Sequence, residues 1–109
     1  RAPMGRVVAQ FSDAVILTND NPRNEDPMQI ALEVKAGLLD ENFNMNYLSI
    51  ELDREKAITE SILKASPTDV FLIAGKGHET KQFMQGYSIE CDDRAIVERT
   101  LKAYQRGKI

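Results

Sequence analysis

Two short apolar runs constrain this chain more than any other feature. "AVILT" (Ala14–Thr18) and "DVFLIA" (Asp69–Ala74) are continuous rather than alternating, and the first is rich in β-branched residues. Such runs are expected of strands covered on both faces, as in parallel sheets. Patterns of helical period lie between and around them. Met4, Val8 and Phe11 mark one face of a first helix; Ile30, Val34 and Leu38 mark a second, opened by Asp26 as cap and Pro27 at the first turn. Asp53 caps a third, whose buried side holds Ala57, Ile58 and Ile62, and Ser66-Pro67 stops it. Between the second and third helices, Tyr47–Leu52 alternates apolar and polar, as a half-exposed edge strand does. Phe83–Cys91 reads as a hairpin around Gln85-Gly86. A last helix starts at Asp92 or Asp93, carries Ile96, Val97, Leu101 and Tyr104 on one face, and ends at Gly107. Helices alternating with strands predict an α/β fold with a mainly parallel sheet between two helical layers.

The totals agree with one domain over residues 1–109 and a modest core. A net charge of −3 gives no broad attraction to nucleic acid or to an anionic membrane. No apolar run nears the roughly 20 residues that cross a bilayer, and Arg1–Phe11 lacks the apolar stretch of a signal peptide. Cys91 is the lone cysteine, so neither an internal disulfide nor a cysteine-pair metal site is expected, and a reducing cytoplasm fits best. The chain opens on Arg1 with a helical pattern at once, which suggests a segment removed upstream.

In open α/β sheets ligands bind beyond the carboxyl ends of the strands. Here the two apolar runs open into "NDNPRNEDP" and "GKGHE", so the two loops are expected to share one rim. In the first, Asp26 and Pro27 are explained by helix capping. Pro22 fixes a turn, and Arg23 presents a guanidinium suited to a carboxylate or phosphate; the plainer alternative is a solvated arginine or one paired with Glu25. In the second, Gly75 and Gly77 allow close backbone approach, and successive N–H groups there could cradle an anion. Glu79 could accept hydrogen bonds from an ammonium group. Lys76 could bind an anion or be solvated, and His78 is better suited to ordering the loop than to acting as a general base. The spacing of a nucleotide-binding P-loop is absent.

"DNPRNEDP", "IAGKGHETKQ" and "DDR", in this order and spacing, resemble the C-terminal domain of the Mur ligases, and the opening "RAPM" resembles the end of that family's basic segment. The resemblance covers essentially the whole chain and is strongest to the branch that adds meso-diaminopimelate. It implies a three-layer, Rossmann-like domain with a C-terminal hairpin and final helix. It also implies a ligase of bacterial cell-wall synthesis that uses ATP and Mg²⁺ to join meso-diaminopimelate to a UDP-linked muramoyl dipeptide. Asp20, Asn21, Pro22, Arg23, Gly75 and Glu79 then resemble the amino-acid-binding residues, with Lys76, Gly77 and His78 supporting them. The family's ATP-binding loop, metal ligands and carbamylated lysine belong to a central domain that this sequence lacks. The first strand of the C-terminal domain and a substrate-binding arginine are also missing. A fragment that binds no cofactor and has no ligase activity alone is therefore expected, its partners being the central and N-terminal domains. The other readings are a relative adding lysine, a cyanophycin or folylpolyglutamate synthetase relative, and a non-catalytic small-molecule-binding module.

Overall fold

A computed structural model describes residues 1–75 and 79–107, with side chains through Tyr104. The order is α1 (Ala2–Phe11), β1 (Val15–Leu17), α2 (Pro27–Asp40), β2 (Leu48–Ile50), α3 (Arg54–Lys64), β3 (Lys81–Met84), β4 (Tyr87–Glu90) and α4 (Asp93–Gly107), with one 3-10 turn at Met45–Tyr47. The fold is mixed α/β. β1 and β2 pair in parallel, Ile16 opposite Ser49, and α2 makes the crossover between them. β3 and β4 form the antiparallel hairpin, turned by Gly86 at φ 77°.

The helix starts follow from local chemistry. The Asp26 carboxylate accepts from the Met28 N–H, and Asp53 accepts from Lys56 N–H. The backbone carbonyl of Asp92 receives the first bond of α4 from Ile96, and its side chain accepts from Ala95 N–H. Ile58, Cys91 and Ile96 form the centre of a small core between α3 and α4, with Ile62, Ile73 and Val97 packed against it.

Four expectations are corrected. The face of α1 that meets α2 is built on Gly5, the helix's buried residue, while Met4 and Phe11 are exposed. A Cβ on Gly5 would collide with the Val34 carbonyl, and one on Gly37 with the Ala2 carbonyl, so these helices touch backbone to backbone. Ile16 in β1 is 41% exposed, so this strand is not covered on both faces. The buried side of α4 runs through Asp93, Ile96 and Thr100 rather than Leu101 and Tyr104; the Thr100 hydroxyl bonds the Ile96 carbonyl. Most consequentially, 69–74 is not a strand. Among the described residues there are two sheets of two strands each, and this segment joins neither. Val70 and Leu72 are 95% and 90% exposed. A strand is held by ladder bonds to a neighbour, and this apolar run has none among the described residues. Of its apolar side chains, Ile73 packs against the α3–α4 core.

Candidate functional site

The loop after β1 and the loop after 69–74 meet. Gly75, at φ 110°, lies so close to Asp20 that an added Cβ would sit 3.1 Å from Oδ2 of that carboxylate. The Asn21 side chain joins the loops to each other and to the hairpin. Its Nδ2 donates to Glu79 Oε2 at 3.1 Å, and its Oδ1 accepts from the Phe83 N–H at 2.9 Å. Pro22 is buried. Lys76, Gly77 and His78 lie outside the described residues.

Arg23 has φ 53°, a left-handed conformation uncommon outside glycine, asparagine and aspartate. Its N–H bonds the Phe83 carbonyl at 3.1 Å, and its guanidinium stands 5.4 Å from the centre of the Phe83 ring. That is cation–π range. Pairing with Glu25 does not occur: Glu25 is taken by Arg1, which also pairs with Glu33. The Arg1 hydrogen bond holds the Glu25 carboxyl below the usual carboxylate range. Beside Arg23 an open groove of about 550 Å³ runs between loop 22–27 and the hairpin residues Met84, Gln85 and Tyr87.

Under the two loops lies an ion pair, one member of which, Asp93, stands at the expected start of the last helix. Arg54 and Asp93 have side chains only 2% and 9% exposed and meet through Nη2–Oδ2 at 2.7 Å and Nε–Oδ1 at 2.8 Å. Burial acts to lower the Arg54 pKa; the hydrogen bonds and charge of Asp93, with Asp20 further off, outweigh it and leave the pKa raised. One signal did point to Arg54. It occupies the first position of α3, where the helix dipole disfavours a cation.

Three buried side-chain atoms have no protein partner among the described residues: Thr18 Oγ1, Asp20 Oδ1 and Gln82 Nε2. All three belong to the two loops or to the segments next to them. Such groups are costly to bury unpartnered. Two can accept a hydrogen bond and two can donate one, the threonine hydroxyl doing either, which is the requirement of a zwitterion. Among the described residues no group of three His, Cys, Asp or Glu side chains is placed to hold a metal ion. No helix there is long and apolar enough to cross a membrane.

Residues 1–77 match the family model described as "Mur ligase, glutamate ligase domain". The chain belongs to the Mur ligase family. Its Mur ligase relatives include the UDP-N-acetylmuramoyl-L-alanyl-D-glutamate–2,6-diaminopimelate ligase of Prochlorococcus marinus, 48% identical over 101 residues, which are 93% of this chain and 19% of that protein. The ligase of the same name from Chlamydia felis is 44% identical over 104 residues, covering 95% of this chain and 20% of its own. A solved structure of a ligase with this name superposes at a TM-score of 0.83 with 34% identity, over 96% of this chain and 21% of that one. The chain thus spans about a fifth of the length of these relatives.

Proposed function

We propose that this chain is the amino-acid-presenting part of a bacterial ligase that adds meso-diaminopimelate to UDP-N-acetylmuramoyl-L-alanyl-D-glutamate in peptidoglycan synthesis. The observation that carries this reading is the unpartnered Asp20 carboxylate oxygen at the point where Gly75 meets the first loop. An ammonium group seated there would satisfy it, with Glu79 nearby as a second acceptor held by Asn21. Arg23 then faces the far end of the amino acid. Meso-diaminopimelate is in effect a lysine with a further carboxylate at that end, and a guanidinium matches a carboxylate in two-point contact. Gly75 gives the backbone room and Pro22 fixes the turn, and Lys76, Gly77 and His78 are further candidates for contact with the amino acid. The names of the relatives support the same amino acid.

In this reading ATP and Mg²⁺ activate the dipeptide carboxylate in other parts of the ligase, and the residues here deliver the attacking amine. Residues 1–109 act as one domain, within a three-layer, Rossmann-like sheet completed by the rest of a cytoplasmic enzyme; the parallel pairing of β1 and β2 across α2 supports that architecture. No ligase activity is expected of the chain alone.

Lysine in place of meso-diaminopimelate would leave Arg23 unpaired and bring a second cation toward it. Arg23 is exposed in this chain, so loss of its partner should cost about 1 kcal/mol, or a few-fold in affinity. Calorimetric titration of the chain with both amino acids tests this. Preference for meso-diaminopimelate, lost in Arg23→Ala, is the expected result. Equal affinity for lysine, or a preference untouched by Arg23→Ala, would overturn it.

A further inference from the structure

The Arg54 guanidinium reaches both loops at their roots. Nη1 donates to the carbonyl of Asn19 at 2.9 Å and Nη2 to the carbonyl of Ala74 at 3.1 Å. Asn19 directly precedes Asp20, and Ala74 directly precedes Gly75. One rigid planar group thus sets the spacing between the two halves of the candidate site. Asp93 grips the same plane by a two-point contact from the start of α4, so the plane cannot rotate.

A buried ion pair is a poor device for stability alone, because apolar residues of similar volume serve as well or better. Nor is a cation needed at the first turn of α3, where the dipole opposes it. What arginine supplies that neither an apolar residue nor lysine can is several donors in one plane, aimed at four acceptor oxygens on three residues at once. We propose that Arg54, clamped by Asp93, is a positioning residue: it holds Asp20 and Gly75 at the spacing at which the site binds its amino acid. The ligand in this statement rests on the function proposed above; the loop geometry does not.

The test is Arg54→Lys in this chain, read by backbone amide spectra together with calorimetric titration with meso-diaminopimelate. Lysine keeps the charge and cannot span both carbonyls. Expected are amide shifts at Asp20, Asn21, Gly75 and Glu79, unchanged protection of Leu38, and affinity lower by about 10- to 100-fold. Arg99→Lys is the control, since Arg99 joins α4 to α3 through exposed Glu55 without touching either loop, and it should leave all four amides unmoved. A folded Arg54→Lys chain with the four amides in place would overturn the proposal and leave Arg54 as an interior ion pair only. If the unsubstituted chain shows no affinity for meso-diaminopimelate, the ligand assignment fails while the amides still judge the positioning. Should Arg54→Lys not fold, the unsubstituted chain decides. Couplings across hydrogen bonds from Arg54 Nη to the carbonyl carbons of Asn19 and Ala74 are expected, and a freely rotating guanidinium would refute the clamp.

Discussion

Asp20 and Gly75 show how one missing Cβ fits the candidate site together. Gly75 combines φ 110° with a carboxylate oxygen 3.1 Å from where its Cβ would be. Alanine there would meet both penalties, backbone strain of about 1–3 kcal/mol and displacement of the Asp20 carboxylate. Gly75→Ala is therefore expected to weaken meso-diaminopimelate binding and to lower the urea midpoint modestly, a change that equilibrium unfolding measures directly. The exposed Arg1–Glu25 pair makes a different kind of prediction. Because the folded-state pKa of Glu25 is depressed by its hydrogen bond to Arg1, its contribution to stability is present above the unfolded value of about 4.3 and is lost as pH falls through the lower, folded value. In an NMR titration the Glu25 midpoint should lie below that reference and return to it in Arg1→Ala. An unshifted midpoint would show the pair absent in solution.

The helix pair α1–α2 makes the sharpest test among the elements. Gly→Ala in a helix interior ordinarily stabilises by about 1 kcal/mol through propensity. At Gly37 the new methyl group would overlap the Ala2 main chain, and forcing extra volume into a closed contact costs about 1–3 kcal/mol. The overlap is with backbone, which cannot swing aside as a side chain can, so the steric cost outweighs propensity. Gly37→Ala should lower the thermal midpoint, and a rise would mean that the helices sit further apart than described. The hairpin lies at the other extreme. Gly86 has open space around it and is needed for its φ of 77° alone.

For the whole molecule, the uneven segment 69–74 matters most. Val70 projects into solvent, and Ile73 closes one side of the core around Ile58, Cys91 and Ile96. Val70→Thr should change unfolding free energy by less than about 0.5 kcal/mol, the usual range for surface substitutions. Ile73→Ala removes a partly buried side chain from that cluster and should cost roughly 2 kcal/mol, near the lower bound for fully buried positions. Comparable losses at the two sites would show that the segment is packed along its whole length, as an interior strand would be.

Much was legible in the sequence because it depends on neighbours in the chain. The caps at Asp26 and Asp53, proline at the start of α2, the Gln85-Gly86 turn and the alternation of Leu48–Ile50 are local bargains between a side chain and its own backbone. The loops holding Asp20–Arg23, Gly75 and Glu79 stand out for their glycine, proline and arginine, and the structure brings Gly75 against Asp20 and Asn21 against Glu79. Tertiary structure decided the rest. Apolar composition marks 69–74 as fit for a strand, yet only a neighbouring strand can supply its ladder. Helical period marks Met4 and Phe11 as a face, yet the close approach of two glycines turned α1 the other way. Arg54 and Asp93 are 39 residues apart, and nothing in their order along the chain links them. Their pairing beneath Asn19 and Ala74 exists only once α3, α4 and the two loops converge, because hydrogen bonds depend on distance in space and the sequence records only order.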